Sequence, residues 1–172
     1  MGAGVIIAWL ITLQNWKTSR EQRAEEFRWK KSELALRTID AMQSDPLSKR
    51  AFSLIDWSNQ DFDLPSGEKV RIQWTDVQKA LRVETPSALE FPPSECFIRD
   101  SFDGFFDHVE RIVHLVNIGL IKAEDVRVPL RYWAKRILHA EQTGLSKPCQ
   151  EYMNHYGYEQ GFQLLKTLSE AT

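Results

Sequence analysis

Charge of one sign, paired cysteines and low-complexity runs are all scarce in this chain, and each shortage removes a class of protein. The net charge is -2 over 172 residues, with charged residues at 27%. That leaves no basic excess, so nucleic acid is not an expected partner, and no like-charged tail. The two cysteines, Cys96 and Cys149, stand far apart, which suggests neither a disulfide framework nor a CxxC zinc knuckle. Reduced thiols in a cytosolic compartment are the simpler expectation. No Walker loop, GxGxxG, GxSxG or HExxH occurs, so no cofactor is expected and nucleophilic catalysis has no signature. None of His108, His114, His139 and His155 closes the Arg-x(4 to 6)-His pattern of some helical ribonucleases.

What is present is apolar and aromatic. The length suits one domain with its own core, and six Trp and nine Phe mostly fill such a core in a helical protein. From Gly2 to Trp16 no side chain is charged, and Val5 to Leu13 is nearly continuous apolar sequence. The stretch gives roughly 22 Å of helix at about 1.5 Å per residue, short of the ~20 apolar residues of a bilayer span. Trp16, Lys17, Arg20 and Arg23 nevertheless form the interfacial aromatic and basic flank of a cytoplasmic exit. The order is wrong for a signal peptide, whose charges precede its apolar run, and Ile6 breaks the myristoylation motif. The alternative is a helix packed in the core or against a second copy.

Further along, KTSREQRAEEFRWKKSE at 17–33 reads as a polar helical stalk with i,i+4 pairs Glu26–Lys30 and Glu33–Arg37. From Leu34 to Met42 it turns apolar and docks. Ser44-Asp45-Pro46 ends that helix and caps one running to about Trp57. Residues 58–74 read as a long loop with Pro65-Ser66-Gly67 turn chemistry and a small hairpin, and Thr75 is expected to cap a short helix. Pro86, Pro92 and Pro93 mark a second irregular connection. Ile98, Phe102, Phe105, Val109, Ile112 and Val116 define a central core helix over 94–118, which Gly119 ends. Val126, Leu130, Trp133 and Ile137 give the next helix, with Pro129 expected in its first turn or dividing it. Two more helices follow, separated at Gly157.

The expected fold is all-α: a hydrophobic anchor (1–16), a stalk (17–33) and a cytoplasmic domain (34–172) of about five to six helices with one long loop or hairpin.

Two charged rows carry the possible chemistry. Asp103, Asp107, Glu110 and His114 share a face of the central helix, where carboxylates and an imidazole suit a divalent cation or an acid-base pair. No second set of ligands is evident, so metal is not expected. Arg127, Arg131, Lys135 and His139, each one turn apart on the next helix, would hold phosphate or an acidic headgroup. The favoured alternative is that the two rows pair across antiparallel helices. Tyr152, Tyr156, Tyr158 and Phe162 around His155 are expected to seal the core rather than stack bases.

The apolar N-terminus, Ser44-Asp45-Pro46, Ile98-Arg99-Asp100-Ser101-Phe102-Asp103 and Gly119-Leu120-Ile121 together resemble an uncharacterised family of small bacterial membrane-anchored helical proteins. The resemblance implies a bacterial inner-membrane protein with a single pass and a cytoplasmic C-terminal domain, and transfers no functional residue. The leading expectation is a membrane-tethered, non-enzymatic interaction or sensor domain. Its partners would be the membrane through residues 1–16 and either another protein or a second copy. A metal-dependent hydrolase or nuclease at the acidic row, and a nucleotide or nucleic-acid binder at the basic row, are the alternatives.

Overall fold

The computed structural model describes residues 3–83 and 91–170, with side chains from residue 16 onward. Its elements are α1 (Ala3–Ser44), α2 (Pro46–Asp56), β1 (Gln60–Asp63), β2 (Lys69–Ile72), α3 (Trp74–Ala80), α4 (Pro93–Asn117), α5 (Ala123–Leu138), a 3-10 turn (Glu141–Thr143), α6 (Ser146–His155) and α7 (Glu159–Glu170). The chain is therefore mostly helical, with one two-stranded sheet among the described residues.

The anchor does not survive. No helix among the described residues is long and apolar enough to cross a membrane, which overturns the single-pass inner-membrane assignment. Helix α1 has the length, at 42 residues, but not the composition. Its apolar run stops at Leu13, and Gln14, Asn15, Lys17 and Arg20 follow directly, where a span would continue for another turn or two. The side chains of residues 3–15 lie outside the described residues, as does Pro86.

Helix α4 forms the axis of the body. Ile98, Phe102, Phe105, Phe106, Val109 and Ile112 are all fully buried, because spacings of three and four keep one stripe of a 3.6-residue helix turned inward. Asp45 starts α2: its Oδ2 accepts the Ser48 amide at 2.7 Å, and Pro46 occupies a position that needs no donor. α2 then lies so close to α4 that a Cβ on Gly104 would stand 2.5 Å from Leu47 Cβ. A larger residue does not fit there. Phe52 stacks on Trp133 of α5 at 4.2 Å and meets Phe105 edge-on at 5.5 Å, joining three helices through aromatic faces.

Two local expectations shift. Helix α3 starts at Trp74, one residue before the expected Thr75 cap, because Asp76 reaches back to accept the Gln73 amide at 2.9 Å. Likewise Asp125 accepts the Lys122 amide at 2.8 Å. This starts α5 at Ala123 and leaves Pro129 inside the helix rather than in its first turn. The small hairpin expected within 58–74 forms as β1 and β2, with Asp61 opposite Arg71 and joined to it by two hydrogen bonds of 2.7 and 3.0 Å.

Of the described side chains of α1, those of the last third are the ones that meet the body. Ala35, Ile39 and Met42 are buried, and the Lys31 ammonium donates to the Gly119 carbonyl at 2.7 Å. Between Trp16 and Lys30 every side chain is exposed except Ser19, which is half-buried.

Candidate functional site

The acidic row of α4 is used up in holding the C-terminal helices. The Tyr152 hydroxyl donates to Asp103 at 2.7 Å, the Tyr158 hydroxyl to Asp107 at 3.0 Å, and the Gly161 amide to Glu110 Oε1 at 2.7 Å. Each carboxylate therefore fixes one point along the path from α6 into α7. Burial raises the Asp103 carboxyl above its ordinary range, opposed by the Tyr152 hydrogen bond and the Arg99 charge. Burial and the carboxylate partner likewise push both tyrosine hydroxyls up. The fourth member, His114, is exposed and lines a groove beside α1. Among the described residues no three His, Cys, Asp or Glu side chains converge as metal ligands would.

The basic row on α5 does not meet the acidic one. No ion pair among the described residues joins them, because α6 and α7 occupy the space in front of the carboxylates. Arg127 and Arg131 are half-buried and Lys135 and His139 exposed. The His139 ring lies 3.0 Å from the Ser169 hydroxyl, and Arg131 Nε is buried without a hydrogen bond. The arginine that organises this helix is Arg136. It donates to the carbonyls of Ile55 and Asp56 at 3.1 and 2.9 Å, pairs with the Asp56 carboxylate at 3.4 Å and lies over the Trp74 ring.

Two buried charges on α4 escaped the sequence reading. Arg99 donates to the carbonyls of Ala80 and Arg82 and to the Tyr156 hydroxyl, with its guanidinium over the rings of Phe91, Tyr152 and Tyr156. It caps the end of α3 and fastens α6 at once. Glu95 receives Lys79 at 3.0 Å and Arg82. Burial alone would raise its carboxyl, but the two cations outweigh that and hold it below its ordinary range. Their only signal in the sequence is a charge falling within the helix that carries the core stripe.

An open groove of about 770 Å³ separates α1 from α4, lined by Arg37, Ala41, His108, Arg111, His114 and Leu115 among others. Burial lowers the affinity of His108 for a proton, and the Arg111 charge adds to this, against the pull of Asp45 and Asp107. Since Asp107 and Glu110 also line the groove, its charge is mixed. It has no dominant sign with which to select a ligand.

What remains uncommitted is α1 itself. Trp16, Phe27 and Trp29 are 58%, 61% and 69% exposed. Arg20 covers Trp16 at 4.5 Å and Lys31 covers Phe27 at 5.3 Å, so basic side chains are the nearest thing to a cover that two of these rings have. Arg28, Trp29, Glu33 and Leu36 line a second shallow groove on a different side of the same helix. The flank Trp16, Lys17, Arg20 and Arg23, expected to leave a membrane, thus belongs to a solvent-facing helix with aromatic residues on more than one side.

No family model matches the chain, and no curated protein or solved structure is similar enough to count as a match.

Proposed function

We propose that this chain is a non-enzymatic interaction module, in which a packed helical body displays α1 as a docking helix for another macromolecule. The observation that carries the reading is the contrast within α1: its last third is fixed in the core, while Trp16, Phe27 and Trp29 stand in solvent. Helices owe most of their stability to packing rather than to propensity. Covering the exposed part of one such aromatic side chain contributes on the order of 2–3 kcal/mol. A partner that covered several would bind and stabilise α1 together. The ionisable rows that suggested chemistry support this reading indirectly, since the carboxylates of α4 already serve α6 and α7.

Photocrosslinking tests it. A photoreactive phenylalanine analogue is placed at position 27 or 29 in the full chain, in the cell that makes it. Discrete adducts are expected from at least one of these positions and none from position 128, which is more exposed than either but lies on α5. Adducts from none of the three, with the body folded, would contradict the proposal.

A further inference from the structure

Trp16, Arg20, Arg23, Phe27, Lys30 and Leu34 follow one another at spacings of four and three. On a helix with 3.6 residues per turn they form a single seam. Lys17 and Lys31 flank it. The carboxylates of Glu21 and Glu25 fall on the other sides of the helix, while Glu26 and Glu33, seven residues apart, share one edge, where they pair with Lys30 at 2.7 Å and Arg37 at 2.6 Å. The seam is thus aromatic at Trp16 and Phe27, apolar where Leu34 meets the core, and basic between.

We infer that this seam docks an acidic amphipathic helix of a partner protein; the inference rests on the docking-helix reading of α1 and names the partner's chemistry. Alternate spacings of four and three are those by which one helix packs along another. The basic positions call for carboxylates on the opposing edge, where complementary charge sets partner choice and orientation. A flat anionic bilayer fits less well, because the inner end of the seam runs into the body: Lys31 is tied to the Gly119 carbonyl. A second copy meeting it seam to seam would set Arg20, Arg23 and Lys30 against the same cations of the other copy, and such like-charge contacts are costly. A nucleic-acid strand would gain nothing from the heptad spacing.

The test uses the purified full chain and two designed helical peptides with leucine at matching seam positions, flanked by glutamate in one and by lysine in the other. The glutamate peptide is expected to bind at least tenfold tighter, with affinity falling as salt rises. The combined variant R20E/R23E/K30E is expected to reverse that preference, with circular dichroism checking that α1 persists. Phe27→Ser, which keeps every charge, is expected to weaken the glutamate peptide about tenfold. Trp29→Ser, on another side, is expected to leave it unchanged. Equal affinity for the two peptides, tighter binding of an oligothymidylate or of anionic phospholipid vesicles, or concentration-dependent self-association that the peptide displaces would each overturn the inference. Crosslinks from position 29 without any from position 27 would also overturn it, while leaving the docking-helix reading intact.

Discussion

Helices α4 and α1 carry similar side chains and spend them differently. In α4, Phe102, Phe105 and Phe106 are fully buried, and Glu95, Arg99, Asp103, Asp107 and Glu110 each have a defined partner elsewhere in the body. In the free length of α1, the ion pair Glu26–Lys30 is internal to the helix and the aromatic rings are open to solvent. Charge on a helix is therefore no guide to function by itself. What decides is whether the rest of the fold has already claimed it, and in α4 it has.

That contrast yields graded expectations for thermal or denaturant unfolding. Phe105→Ala should cost the most, about 3–5 kcal/mol, since it opens a cavity where α2, α4 and α5 meet. Gly104→Ala comes next at about 1–3 kcal/mol, because Leu47 leaves no room for the added methyl. Glu95→Gln should cost a similar or smaller amount near neutral pH by leaving Arg82 without its ion-pair partner.

The sign of the pH dependence follows from the direction of each shift. The folded-state pKa of Glu95 is lowered, so its contribution is present above the ordinary carboxylate range and disappears as pH falls through the folded value. The gap between wild type and Glu95→Gln should close in acid. Asp103 has the opposite sign. Its pKa is raised, so its contribution is largest in acid and is lost as pH rises through the folded value. Asp103→Asn should therefore gain on wild type over that range, by a smaller margin. Trp29→Ser should change stability least, within about 0.5 kcal/mol, as expected of a surface position. A large loss there would mean that Trp29 is packed in the folded protein.

How much of this was legible in the sequence depends on range. The stripe of α4, the Asp45-Pro46 start of α2 and the Gly119 stop are local patterns set by helical periodicity and capping, and they read directly. Which row of charges would face which helix was not legible. Pairing Asp103, Asp107 and Glu110 with the row Arg127 to His139 assumed that consecutive helices pack side by side. Instead α6, α7 and the turn between them, from much later in the chain, supply Tyr152, the Gly161 amide and Tyr158. Arg99 was hidden for the same reason, since its partners lie on α3 and α6. The N-terminal error was one of length: a basic flank beside an apolar run resembles a membrane exit, but Gln14 and Asn15 follow Leu13 too soon.

Amide hydrogen exchange along α1 in the monomeric full chain tests the central claim most directly. Strong protection is predicted from Leu34 to Met42, matching that of α4, with a fall beyond Lys31 and little protection from Trp16 to Lys30. Protection over Trp16 to Lys30 equal to that of α4 in the monomer would contradict it, because a helix already secured on all its faces has no docking surface to offer.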